Sequence, residues 1–179
     1  MHRFWKSLHS KLRYQDHVLS VEHKTYSFSK INREMPFTVV NTSDWVVVIP
    51  ETIEKKFVLV KQFRVGTTSV TLEFPGGAVS AGEEPKTAAV RELEEETGLI
   101  PEKLNYLGII NPNPAFMSNR CFAYSATGCR YDGNMNLDMF EDIEVEEYRQ
   151  SQFDEMVKAG KITHSIVLAA YSLHLLNSA

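Results

Sequence analysis

The chain has 179 residues, a length that suits one domain with an ordinary core, and 43% hydrophobic with 23% charged residues excludes a disordered or collagen-like polymer. Lys and Arg total 19 against 23 Asp and Glu, a net charge of −4, which makes nucleic acid a poor expectation as partner because its affinity rests on neutralised phosphates. Two cysteines give no disulfide framework and point to a reducing, cytoplasmic setting, and no apolar run reaches the roughly 18 residues a membrane helix needs.

The opening MHRFWKSLHSKLRYQ places Phe4, Trp5, Leu8 and Leu12 at helix-like spacing, which predicts a terminal helix or arm packed on the domain or on a partner chain. His9, Ser10 and Lys11 break the apolar run that a signal peptide requires. Strand patterns follow from Val18 to Phe74: HVLSVEHKTYSF alternates, TVVNTSDWVVVIPE is rich in β-branched residues, KKFVLVKQFR reads as a buried strand, and TSVTLEFP runs into the loop signal Pro75-Gly76-Gly77. A helix is predicted over Glu84–Thr97, with Pro85 in its first turn and Gly98 just past its end. KLNYLGIINPNP and NRCFAYSATGCRY read as two more strands, and Asp132–Glu144 as an acidic loop. IEVEEYR is a short strand, QSQFDEMVKAG a helix closed by Gly160, and HSIVLAAYSLHLL a last helix. The fold class expected is α/β (α+β): a mixed sheet between helices, with a β-rich N-terminal region.

One helix is charged against its own dipole. Glu92, Glu95 and Glu96 share a face, Glu94 lies nearby, and all crowd the C-terminal half, where the dipole is negative. Like charges at this spacing cost about 0.2–0.5 kcal/mol per pair. A solvated acidic face is one reading. The other is a seat for a divalent cation such as Mg²⁺, which takes hard oxygen ligands and shares its shell with water and substrate phosphates.

The segment around this helix resembles the signature of the Nudix hydrolase family, G-x5-E-x7-R-E-U-x-E-E-x-G-U with U aliphatic. Gly77, Glu83, Arg91, Glu92, Leu93, Glu95, Glu96, Gly98 and Leu99 fill it without departure, a coincidence on the order of 10⁻⁷ by composition alone. The resemblance implies a Nudix fold and Mg²⁺ or Mn²⁺ as cofactor. Glu92 and Glu96 would be direct metal ligands, Glu95 a ligand or a catalytic residue acting through water, and the Gly76 carbonyl a further ligand. Glu83 either reaches the cluster or pairs with Arg91, and Arg91 either orients the glutamates or meets substrate.

Outside the signature, KKFVLVKQFRVG followed by LEFPGG resembles the ADP-ribose and nucleotide-sugar pyrophosphatase branch of that family. The resemblance implies Arg64 as a diphosphate contact, Pro75-Gly76-Gly77 in place of the usual Pro-Ala-Gly, and a proline-bearing segment with Pro112 and Pro114. It implies a loop carboxylate that activates water, with Glu141 ahead of Glu144, which begins to enter the next strand. Phe116 either stacks on a nucleobase or packs, and Arg120 is equally open as a substrate contact. His164 reads as a cap or surface residue, and Cys121 and Cys129 as ordinary buried thiols. The expected reaction is metal-dependent cleavage of a nucleoside diphosphate sugar to a nucleoside monophosphate and a sugar phosphate. The alternatives are a dinucleotide or triphosphate pyrophosphatase, or a non-catalytic sensor, which normally loses box carboxylates that this chain retains. Residues 1–40 are a possible dimerisation region, by analogy with that branch.

Overall fold

The computed structural model describes residues 3–177, which fall into two compact units. The first runs to Ser43 and includes Asn111–Arg120; the second holds Asp44–Ile110 and Cys121 onward.

The first unit is an antiparallel sheet of β1 (Trp5–Gln15), β2 (Leu19–Phe28) and β3 (Arg33–Thr42). The segment expected as a helix or arm is thus a strand. Its pairing with β2 slips between Ser7 and His9 and again between Leu12 and Tyr14. Each bulge adds one residue and resets the two-residue alternation, so an irregular strand mimics helical spacing. The β1–β2 turn is fixed by Asp16, whose Oδ1 accepts the N–H groups of Val18 and Leu19 at 2.8 and 2.9 Å. Trp5 stacks on Phe28 at 4.4 Å and meets Phe37 edge-on at 5.8 Å. The stretch TVVNTSDWVVVIPE is not one strand; it divides at Ser43-Asp44. Asn111–Arg120 joins this unit through Val40 N–H to Phe116 O at 2.8 Å and Ser118 N–H to Val40 O at 3.0 Å.

The second unit centres on β4 (Trp45–Thr52), parallel to β8 (Cys121–Cys129), which pairs antiparallel with β7 (Lys103–Ile110). A hairpin links β4 to β5 (Lys56–Arg64), flanked by β6 (Ser69–Glu73) and β9 (Ile143–Arg149), both antiparallel. β4 alternates from Val46 to Ile49, before an irregularity between Pro50 and Thr52. Val46 and Val48 pack with Ala88, Ala89 and Leu93 of α1 (Pro85–Thr97). Val47 and Ile49 pack with Phe153 of α2 (Gln150–Lys158) and with Ile166, Val167 and Ala170 of α3 (Ser165–Asn177). Burial on both faces explains why β4 and β5 read as continuous apolar runs. This sandwich holds α1 on one face of the sheet, with its glutamates at the edge of a packed core.

Candidate active site

Helix α1 begins after Glu84, with Pro85 in its first turn, and ends at Gly98 in the left-handed conformation, φ 69°. It has no acidic residue in its first turn and no basic residue in its last, the inverse of what its dipole favours. Ala89, Leu93 and Glu96 fall at positions i, i+4 and i+7, so the apolar stripe that anchors the helix terminates in a carboxylate. Glu96 is only 3% exposed, and burial raises its pKa to about 8. Its Oε2 accepts the Gly76 N–H at 2.9 Å, tying the helix to the loop that precedes it. Burial also raises the Glu92 pKa, and the charge of Glu95 adds to that effect.

Arg91 is the hub of the cluster. Its Nε and Nη2 grip Glu83 with two 3.0 Å bonds, while Nη1 donates to Glu92 at 2.9 Å and Glu95 at 2.8 Å. Nη2 also reaches the Ala78 carbonyl at 3.1 Å. With this guanidinium and the Ser80 N–H beside it, the Glu83 carboxyl falls to about 2. Glu83 therefore pairs with Arg91, one of the two roles open to it. Arg91 faces four protein acceptors, which favours the orienting role over substrate contact.

Two glycines make this packing possible. A Cβ at Gly76 would lie 2.2 Å from the Val46 carbonyl oxygen, and one at Gly77 would lie 2.5 Å from the Glu92 carboxylate. The turn must therefore be bare for β4 to approach from one side and Glu92 from the other.

The same glycines line a cavity of about 480 Å³. Trp45 and Phe74 lend it aromatic surface, and Arg64, Glu73, Thr163 and His164 lend polar groups. Arg64 binds Glu73 through two parallel bonds of 2.9 and 2.8 Å, so its fork is fixed and Nη1 remains to donate. Glu73 is buried, and despite that burial the Arg64 guanidinium and Thr71 hydroxyl hold its carboxyl below the usual range. His164 caps α3 through its carbonyl, which accepts the Leu168 N–H at 3.1 Å, and its Nε2 stands 3.7 Å from Glu73. The cap is as expected, but the imidazole also faces this cavity. Sequence reasoning missed both Glu73 and His164; the proximity of His164 to Glu73 joins residues far apart in sequence.

The acidic loop between β8 and β9 is pinned to α1, Gly133 N–H to Gly98 O at 3.1 Å and Asn136 N–H to Glu95 O at 2.9 Å. Glu141 lies close enough for its charge to act on Glu92, Glu96 and Arg64. Glu144 has entered β9 and is bound to Lys61 at 2.7 Å, which leaves Glu141 the better placed of the two. Phe116 and Arg120 belong to the first unit, both exposed. Cys121 and Cys129 are free and buried, as expected, and burial pushes their thiols up to about 12 and about 11.

The donor set suits a hard divalent cation. Glu92 and Glu96 are carboxylates one helical turn apart, half-buried to buried, at an end of a helix that repels them; a cation offsets that cost. Among the described residues no group of three His, Cys, Asp or Glu side chains is yet placed to hold a metal ion. Arg91 engages one oxygen each of Glu92 and Glu95, and so sparse a set of protein ligands fits an ion that keeps several waters.

Comparison with known proteins identifies the family and the fold. The family model described as NUDIX domain matches residues 42–171. An ADP-ribose pyrophosphatase of Bacillus subtilis is 34% identical over 119 residues, covering 66% of this chain and 57% of that protein, so this chain spans little more than half of that relative's length. A methanol dehydrogenase activator of Bacillus methanolicus is 33% identical over 132 residues, 73% of this chain and 71% of that protein. A crystal structure of an ADP compounds hydrolase superposes with a TM-score of 0.85 at 21% identity, covering 98% of this chain and 94% of that one, which shows the fold. With its signature intact on α1 and the family model matching most of its length, the chain belongs to the NUDIX family.

Proposed function

We propose that the protein hydrolyses the pyrophosphate bond of a nucleoside diphosphate sugar, of ADP-ribose type, releasing a nucleoside monophosphate and a sugar phosphate. One observation carries this reading: the Gly76-Gly77 turn touches the Glu92 and Glu96 carboxylates and also lines a nucleoside-sized cavity that holds a fixed arginine. A diphosphate spanning that turn meets both.

Glu92 and Glu96, with Glu95 and the Gly76 carbonyl, would hold the divalent cation, Mg²⁺ or Mn²⁺. Such a cation, when bound, would supply charge that offsets the diphosphate and would make an attacking water more acidic. Arg64, oriented by Glu73, donates to a phosphate oxygen, and Arg91 keeps the glutamates aligned. Glu141 accepts the proton of the attacking water; a P–O bond forms as the bridging P–O bond breaks, leaving two phosphomonoesters. The name of the Bacillus subtilis relative supports the substrate class.

The test is a panel of ADP-ribose, ADP-glucose, GDP-mannose, a dinucleoside polyphosphate and nucleoside triphosphates with Mg²⁺ or Mn²⁺, products identified by chromatography. Cleavage of a nucleotide sugar to monophosphates is expected. Exclusive cleavage of dinucleotides or triphosphates, or binding without products, would displace the proposal. We also propose that the three-stranded unit associates with a second copy, because Leu12, Tyr14, Ile31 and Met35 are exposed there. Sedimentation at twice 20.4 kDa is expected.

A further inference from the structure

Trp45 opens β4 directly opposite Ala78, within the second unit. Val46 N–H donates to the Gly77 carbonyl at 2.9 Å, and Val79 N–H to the Asp44 carbonyl at 2.8 Å, so the two segments are clamped on either side of this pair. The Ala78 carbonyl also accepts Arg91 Nη2 at 3.1 Å. The backbone of Trp45 is therefore fastened to the turn that touches Glu92 and Glu96. On β4 its side chain shares the face of Val47, and it packs partly against the cluster that holds Phe74, Ile166 and Val167. These residues line the cavity of about 480 Å³, and Trp45, half-buried, lines it with them.

The ring has no other task that uses its face. Trp5 stacks on Phe28 at 4.4 Å, whereas among the described residues Trp45 stacks on no aromatic ring and its Nε1–H meets no protein acceptor. The cavity offers little to a sugar. Glu73 is the only carboxylate among the residues that line it, and its Oε1 already accepts Arg64 Nε at 2.9 Å and the Thr71 hydroxyl at 2.5 Å. Its Oε2 accepts Arg64 Nη2 at 2.8 Å. Within a nucleotide sugar, the sugar is covered by hydroxyls and the diphosphate is charged. The base alone offers a flat, weakly hydrated face that matches an open indole.

We propose that Trp45 is the platform on which the nucleobase of the substrate stacks, and that it confers a preference for purine over pyrimidine nucleoside diphosphate sugars. The proposal rests on the functional reading above and adds the residue that selects the base. A purine covers more of an indole than a pyrimidine does, so the stack favours adenine and guanine. The contact is the same in the ground state and the transition state, so its loss should raise KM more than it lowers kcat.

The first measurement follows tryptophan emission of wild type and Trp45→Phe during titration with AMP, UMP or ribose 5-phosphate, each with Mg²⁺. AMP should quench wild type at lower concentration than UMP does, and ribose 5-phosphate should leave it unchanged. Trp45→Phe, which retains Trp5, should not respond. The second measurement compares ADP-ribose with UDP-ribose as substrates of wild type, Trp45→Phe and Trp45→Leu. Wild type should favour ADP-ribose about tenfold, and Trp45→Phe should keep most of that preference. Trp45→Leu should raise the KM for ADP-ribose about tenfold with kcat within about threefold, and should nearly abolish the preference. A merely structural defect lowers both activities alike and leaves their ratio unmoved. If Trp45→Leu folds poorly, the emission titration decides. Quenching by ribose 5-phosphate equal to that by AMP seats the sugar in the cavity and overturns the proposal. So does an absence of quenching by AMP, quenching that survives in Trp45→Phe, or a base preference unchanged in Trp45→Leu. In each of these cases wild-type cleavage of ADP-ribose leaves the functional reading standing, whereas a wild type that cleaves no nucleotide sugar takes down both.

Discussion

Glu96 shows how one residue couples stability to function. Its carboxyl titrates near 4.5 in an unfolded chain and about 8 in the fold, because burial disfavours its charge. Between those values the folded state holds the extra proton, so stability of the metal-free protein falls as pH rises through this window. The loss amounts to on the order of 3–5 kcal/mol, to be followed by urea unfolding from pH 4 to pH 9 in the presence of a chelator. Mg²⁺ should restore stability at the alkaline end. Glu96→Gln should flatten the profile, since an amide has no charge to bury and its oxygen still accepts the Gly76 N–H. The same variant should lose on the order of 10²-fold or more in turnover. Near-normal rates in Glu96→Gln would remove this residue from the ligand set. The clustering of Glu92, Glu96 and Arg91 was legible in the sequence because helical spacing puts them on neighbouring faces, whereas the roles proposed for them rest on the family resemblance. Glu73 and His164 were not, since the cavity they line is assembled from β5, β6 and the N-terminus of α3.

At the scale of elements, the turn entering α1 separates packing from chemistry. Gly76→Ala drives a methyl into the backbone of β4, which cannot yield, and should cost about 1–3 kcal/mol in stability. Gly77→Ala meets only the end of the Glu92 side chain, which can swing away. It should therefore leave stability nearly intact but misplace a ligand, at a cost of about 10²-fold in rate. Paired denaturation and kinetic measurements separate the two; equal effects of both substitutions on stability would refute the distinction. Boundaries of regular elements were readable wherever a strand or helix kept its period, as α1 did between Pro85 and Gly98. β1 was misread because two bulges destroy its alternation, and the β3–β4 division was missed because β-branched residues continue on both sides of Ser43-Asp44.

For the whole molecule, the path of the chain matters more than its composition. Residues 111–120 leave the second unit after β7 and contribute to the first, where Val40 supplies both a donor and an acceptor to them. Val40→Pro removes the donor to Phe116 and should release this segment, so that limited trypsin digestion cuts first at Arg120. Mass spectrometry of the first fragment checks this; initial cleavage elsewhere would show that the segment is held by other means. Length and charge could not reveal this excursion, because it depends on pairing between segments more than seventy positions apart. The parallel partnership of β4 and β8 has a further cost during synthesis. Trp45 emerges from the ribosome 76 residues before Cys121, its opposite number in the ladder. At about 5–20 residues per second, the valine run of β4 waits roughly 4–15 s with one edge unmatched, and its face toward α2 and α3 waits longer still. Nascent chains of this protein should lean on chaperones during that interval, and any codon choice that slows translation between β5 and β8 should send more of the product into aggregates.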